Sequence, residues 1–253
     1  LREMHEVLLS RGRGSDKAPG SFRRSQNWIG GTRPGNAYFV PPPPGEVERC
    51  MGELERFLHA EDQPYPTLVK AALAHVQFES IHPFLDGNGR IGRLLISFIL
   101  HHDGLLSRPL LYLSLYFKQH RRYYYELLDE VRREGDWERW LDFFLEGVEQ
   151  TALNAVETAR RLIRLFKEDE ARIQTLGRRA GTVLRCFQAL CHGPVQDIGG
   201  IAKATGLSYP AAAKGIAELE RLGLVRELTG KRRNRVYAYG QYLAILNEGT
   251  EAS

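Results

Sequence analysis

Twelve consecutive residues, His82-Pro83-Phe84-Leu85-Asp86-Gly87-Asn88-Gly89-Arg90-Ile91-Gly92-Arg93, bring together an imidazole, a carboxylate, a glycine-flanked turn and two guanidinium groups. The residues that follow, Leu94, Leu95, Ile96, Phe98, Ile99 and Leu100, are apolar, so the turn stands where a loop enters a buried helix. The first amides of a helix lack intrahelical acceptors and lie at the positive end of its dipole, which makes such a junction an anion site. Gly87 and Gly89 on either side of Asn88 let the backbone approach a phosphate closely. Arg90 and Arg93 share a helix face and can reach successive phosphates of a polyphosphate chain. Asp86, one residue before the turn, can hold a Mg²⁺ already bound to phosphate oxygens. His82 is the group able to take a proton near neutral pH. The set points to nucleotide chemistry. The sequence has no Gly-x4-Gly-Lys-(Ser/Thr) loop, which argues against a P-loop ATPase.

In order and spacing these residues resemble the signature of the Fic family, His-Pro-Phe-x-(Asp/Glu)-Gly-Asn-Gly-Arg-x-x-Arg, and no position departs from it. The similarity continues through Phe22-Arg23-Arg24-Ser25-Gln26-Asn27-Trp28-Ile29-Gly30, Asn36-Ala37-Tyr38-Phe39-Val40-Pro41-Pro42-Pro43 and Glu134-Gly135-Asp136-Trp137, covering most of residues 1–150. The resemblance implies Mg²⁺-dependent transfer of AMP from ATP to a Ser, Thr or Tyr hydroxyl of a target protein, with pyrophosphate leaving. By the same likeness His82 is the general base and Asp86 holds the metal. Asn88, with the amides of Gly87 and Gly89, steadies the α phosphate, and Arg90 and Arg93 hold the outer phosphates. Phosphoryl chemistry of this kind depends on positioning and charge neutralisation. Two alternatives stay open: a nucleotide-sensing, DNA-binding regulator, and a Fic enzyme that moves another phosphate-linked group or removes AMP.

The elements that must position this motif read as mainly α: a Fic-type helical bundle with a β-hairpin flap, followed by a small winged helix-turn-helix domain. A short amphipathic helix carries Leu1, Met4, Val7 and Leu8, and a Gly- and Arg-rich loop follows it. Residues 26–40 read as a hairpin ended by the prolines at 41–44. In Fic proteins the corresponding flap aligns the target by strand addition, so the target protein is expected to dock there. Helices are expected at about 45–60, 67–80, 90–102, 120–133 and 137–149. Tyr124 and Tyr125 resemble a pair that lines the adenine pocket in some relatives, although a tyrosine run on a helix also suits core or rim packing. The boundaries read as a Fic domain over 1–150, a connecting helix over 151–176, a winged-helix domain over 177–245 and a tail over 246–253.

In the C-terminal part, Ile198 to Ser208 followed by Tyr209 to Leu222 reads as helix, turn, helix, with Ser208 as a cap. Two strand-like runs, Leu224–Leu228 and Arg235–Tyr239, flank a basic loop in the manner of a wing. Residues 176–253 carry 11 Lys and Arg against 6 Asp and Glu, so the chain's formal charge of +4 resides there. DNA is therefore a candidate partner through Lys231, Arg232, Arg233 and Arg235. The reading face, Ser208, Tyr209, Ala212, Ala213 and Lys214, offers few groups for sequence readout. Dimerisation or target docking are the other uses of this part, and a homodimer is left open. No apolar run approaches the roughly 18 residues of a membrane span, and no signal-like start is present. With three cysteines and no CxxC, the expected setting is cytoplasmic and the thiols are core residues. Many Fic enzymes carry an inhibitory helix of pattern (Ser/Thr)-x-x-x-Glu-(Gly/Asn), whose glutamate pairs with the second motif arginine. Here Glu134, Glu146 and Glu248 precede glycine but have Glu130, Asp142 and Ala244 at the required position. An upstream inhibitory segment is expected to be missing, leaving Arg93 unopposed.

Overall fold

The computed structural model describes residues 1–60, 64–108 and 111–248. The chain divides into two compact units, Leu1–Leu153 and the residues from Asn154 on. The first is helical: α1 (Arg2–Leu9), α2 (Val47–His59), α3 (Thr67–Ile81), α4 (Asn88–His102), α5 (Leu113–Gln119), α6 (Arg121–Glu134) and the beginning of α7 (Trp137–Gln174).

Helix α3 is the axis of this unit. Its side chains are buried on nearly every side, among them Ala71, Ala72, Ala74, Val76, Phe78 and Ile81, as expected of a helix enclosed by others. The three alanines keep its neighbours close. Two polar residues tie the layers together inside this core. His75 shares one hydrogen bond with the Gly92 carbonyl of α4 (2.9 Å) and one with the Tyr124 hydroxyl of α6 (2.9 Å). The Trp140 indole of α7 donates to the Ala72 carbonyl (3.2 Å). A buried polar group must find such partners or forfeit its hydration.

The hairpin expected over residues 26–40 is present in its narrowest form. A single antiparallel bridge joins Ile29 and Phe39, and a short 3₁₀ turn, Pro34–Asn36, closes the tip. Arg33-Pro34-Gly35 favours that turn over a continued ladder. Helix α5 was not foreseen, being too short at 7 residues for its periodicity to register. The helices expected over 137–149 and 151–176 are one helix, α7, of 38 residues, with no proline to interrupt it.

The second unit holds the rest of α7, then α8 (Ala180–His192), β1 (Val195–Asp197), α9 (Ile198–Thr205), α10 (Tyr209–Arg221), β2 (Val225–Glu227), β3 (Val236–Tyr239) and α11 (Gly240–Asn247). The strands form an antiparallel sheet in the order β1-β3-β2, with Val195 opposite Ala238 and Val225 opposite Tyr239. Asp197 caps α9 by accepting from the Gly200 amide at 2.6 Å, and Ser208 caps α10 by accepting from that of Ala211 at 3.4 Å. Ala212, expected on the outer face of α10, lies in the core instead, one turn before Ile216 and near Cys186. Of the tail expected from 246, two residues end α11, and 249–253 lie outside the described residues.

Candidate active site

The motif loop joins the C-terminus of α3 to the N-terminus of α4, and its first residue is the helix cap. His82 adopts left-handed backbone angles (φ 48°, ψ 59°), rare for a residue with a side chain and costing about 1–3 kcal/mol. Surrounding contacts hold it there. Its amide donates to the Phe78 carbonyl at 3.0 Å, and its carbonyl accepts from Arg23 Nε at 2.9 Å and Asn27 Nδ2 at 3.4 Å. Arg23 is 3 % exposed and has no carboxylate partner among the described residues; it donates also to the carbonyls of Ser25, Pro42 and Ile81. A helix C-terminus leaves carbonyls unpaired and carries partial negative charge, so a cation serves both needs. Arg23 thus caps α3 and pins the roots of the flap to the motif.

The loop is fixed from within by Asn88 and from outside by His5. The Asn88 carboxamide is 2 % exposed and makes two bonds to Phe84, accepting from its amide (2.9 Å) and donating to its carbonyl (2.7 Å). One of its two N–H groups has no acceptor among the described residues. His5, fully buried on α1, stacks on the Phe84 ring at 3.7 Å between centroids. Its Nδ1 accepts from the Gly20 amide at 2.9 Å, which leaves the proton on Nε2 to donate to the Asp86 carbonyl at 2.9 Å. Gly87 (φ 86°) turns the chain into α4, and a side chain there would meet Leu9 at 2.8 Å. The first helical hydrogen bond runs from Ile91 to the Gly87 carbonyl, so the amides of Asn88, Gly89 and Arg90 precede it.

The Asp86 carboxylate is partly exposed. One oxygen accepts from the Gly87 amide at 2.6 Å, and the other lies 3.6 Å from Arg13 Nε. Arg90 lies 4.0 Å from Asp86, and Arg93 donates to the Ser114 hydroxyl at 3.1 Å. Beneath the turn lies Glu79, buried on α3, with Oε1 lacking a hydrogen-bond partner among the described residues. Burial pushes its carboxyl up to about 7 against the pull of Arg93 and Arg132. His82 keeps part of its surface open while its Nδ1 is enclosed. Burial brings its pKa down to about 4, the Glu79 backbone opposes this only in part, and Arg132 and Arg23 add to it. A neutral imidazole therefore stands at one edge of a turn that opens a helix, with a carboxylate and two arginines beside it. Such an arrangement can bind a polyphosphate and accept a proton from a hydroxyl brought to it.

Of the residues singled out in the sequence, His82, Asp86, Gly87, Asn88, Gly89, Arg90 and Arg93 lie together in this loop and the first turn of α4. The tyrosine pair divides. Tyr124 is 4 % exposed, stacked on Phe117 at 4.8 Å, with its hydroxyl on His75, which makes it a core residue. Tyr125 is 44 % exposed, with the Arg121 guanidinium 5.8 Å from its ring. His5, Arg23, Glu79, Ser114 and Arg132 were missed. Only Arg23 had a signal, its place in the stretch resembling the family, and the others show their roles only through contacts distant in sequence.

Residues 1–100 match the model of the Fic/DOC family. The chain is 36 % identical over 152 residues to a protein adenylyltransferase Fic of Culex quinquefasciatus, covering 60 % of this chain and 27 % of that protein. With a protein adenylyltransferase Fic of Aedes aegypti the identity is 38 % over 133 residues, covering 52 % and 24 %. The chain thus spans about a quarter of the length of these curated relatives. Among solved structures, a Fic family protein from Desulfovibrio desulfuricans G20 shares the fold with a TM-score of 0.54 at 22 % identity, over 94 % of this chain and 66 % of that one.

Proposed function

From the premise that the chain carries a Fic domain over residues 1–100, we propose that it is a protein adenylyltransferase, moving AMP from ATP to a hydroxyl of a target protein. The observation that carries this reading is the neutral His82 beside the open amides of α4. The target oxygen attacks the α phosphorus, the bond from that phosphorus to the pyrophosphate oxygen breaks, and the hydroxyl proton passes to the imidazole. Nδ1 is enclosed, so Nε2 is the nitrogen that takes the proton. The amides of Asn88, Gly89 and Arg90 receive charge developing on the α phosphate, with the spare N–H of Asn88. Arg90 and Arg93 hold the outer phosphates and orient the leaving group.

Mg²⁺ fits this site through Asp86, whose partly exposed carboxylate is the kind of single hard ligand that suffices when phosphates supply the rest. When bound, the ion neutralises phosphate charge. Asp86, which now lies 3.6 Å from Arg13 Nε, would be the protein's ligand to it. The target would dock along residues 26–40, where Tyr38 (86 % exposed) and Trp28 present side chains outward. Three free thiols suit the cytoplasm. The chain is to be incubated with ATP labelled at the α or at the γ phosphate, beside His82→Ala. Label entering protein from the α position alone and lost in the variant is the expected result. Label from neither position removes the transferase reading in favour of sensing or AMP removal.

A second reading concerns the C-terminal unit, which we take as a winged helix that binds DNA by its phosphates. The loop between β2 and β3 presents Lys231, Arg232, Arg233 and Arg235 as exposed residues. Among the described residues, none of the first three has an acidic partner.

A further inference from the structure

A single rung such as Ile29–Phe39 has little stability of its own, so contacts from elsewhere must decide where the flap sits. Arg23, Gln26 and Asn27 fix its roots through the carbonyls of Pro42, Pro41 and Phe84. Among the described residues, the hydrogen bonds and ring contacts of 28–40 stay within the flap with one exception, the guanidinium of Arg132 on α6. Its carbon lies 4.0 Å from the centroid of the Phe39 ring. The same group donates to the Ser80 hydroxyl (3.1 Å) and to the Glu79 carbonyl (3.2 Å), in the last turn of α3 before His82. One planar cation therefore touches both the rung of the flap and the turn that carries the base.

On the reading of this site as an adenylyltransferase, we propose that Arg132 is a positioning residue that registers the flap on the end of α3, so that an acceptor chain laid along the flap brings its hydroxyl to His82. The guanidinium suits this task for geometric reasons. Its face covers an aromatic ring while its edge donates two hydrogen bonds in fixed directions. A lysine keeps the charge but has neither the flat face nor the fork. Burial lowers the pKa of Arg132 and the neighbouring Glu79 raises it, which accords with a cation held between a ring and a helix end.

Amide hydrogen exchange on the full chain tests this without reference to activity. The Ile29, Tyr38 and Phe39 amides make the bonds of the rung. In Arg132→Met and in Phe39→Ala we expect these three to exchange at least tenfold faster, with the interior of α3 unchanged. The double variant should be no faster than either single one, because both remove the same contact. Arg132→Lys should fall between. Unchanged exchange in both single variants, or effects that multiply in the double, would overturn the proposal. Should Arg132→Met misfold, Phe39→Ala and Arg132→Lys still decide it, since Phe39 lies outside the core. As a second readout, self-labelling from α-labelled ATP should fall about tenfold in Arg132→Met while calorimetric affinity for Mg-ATP holds within twofold. A parallel loss of ATP affinity would instead make Arg132 part of the nucleotide site and overturn the assignment. A wild-type chain that does not label at all removes the adenylyltransferase reading, and the exchange result still decides whether Arg132 registers the flap.

Discussion

A histidine can act as a base at neutral pH only if it is not already protonated, and the surroundings of His82 ensure this. Enclosure of Nδ1 and the nearby guanidiniums of Arg132 and Arg23 hold the pKa near 4, against 6.5 for a free imidazole. The acid limb of kcat/KM for AMP transfer should accordingly lie nearer pH 4 than 6.5, as a pH–rate profile over pH 4–8 would report. A limb at 6.5 would mean that the ring is exposed in the working enzyme. The same groups set the pH dependence of folding. His75, also buried, is brought down to about 4, so each histidine loses stability as pH falls from 6.5 towards 4, where only the unfolded chain takes up the proton. Glu79, raised to about 7 from 4.5, works in the opposite sense and loses stability as pH rises through that range. Between about pH 4.5 and 6.5 the balance is about one proton more in the unfolded state, or about 1.4 kcal/mol of added stability per pH unit. Glu79→Gln removes the opposing proton and should make the slope about twice as steep in urea titrations. The place of His82 beside the turn was legible in the sequence because the residues that surround it there are contiguous with it. His75 and Glu79 were not, because what matters about them is burial among residues far along the chain.

At the scale of elements, the site depends on how closely α4 approaches α3. A Cβ at Gly92 would lie 2.3 Å from Glu79 Oε1 and 3.2 Å from the Phe78 ring, and both belong to the packed interior of α3. Alanine suits a helix better than glycine by about 1 kcal/mol, but overpacking costs about 1–3 kcal/mol. Gly92→Ala should therefore lower stability by about 1 kcal/mol or somewhat more and displace the first turn of α4, loosening ATP. Adding Glu79→Ala relieves the clash and should recover part of the loss, which thermal melts of the two variants would show. The helices that bear the site were legible because long apolar stretches mark them, as with Leu95, Ile96, Ile99 and Leu100 on α4. Other elements were not. Helix α5 is too short to show a period, and the 3 residues of β1 acquire strand character only by pairing with β3. Helix α8 does carry a signal in the sequence, Val183, Cys186, Phe187 and Leu190 at helical spacing.

Across the whole molecule, charge is distributed as function would require if the two units meet different partners. In the first unit Arg13, Arg90 and Arg93 stand at the motif turn, suited to a ligand that carries several negative charges on few atoms, as a nucleotide does. The second presents Lys231, Arg232 and Arg233 on a loop between strands, spaced for a partner whose charge is extended. The outward side of α10 offers Tyr209 and Lys214 but little that distinguishes one base pair from another. Binding to DNA through this unit should then depend strongly on salt and weakly on sequence. Replacing Lys231, Arg232 and Arg233 together by alanine removes three phosphate contacts, and the slope of log affinity against log salt should fall by about 2.7. These exposed residues contribute nothing to the core of the unit, so its melting should be unaffected. Fluorescence anisotropy with a labelled random-sequence duplex over 50–200 mM salt measures both slopes. An unchanged slope in the triple variant would move the contact away from the wing, and no binding by the wild-type chain at the lowest salt would leave this unit to protein partners, with the basic loop simply solvated.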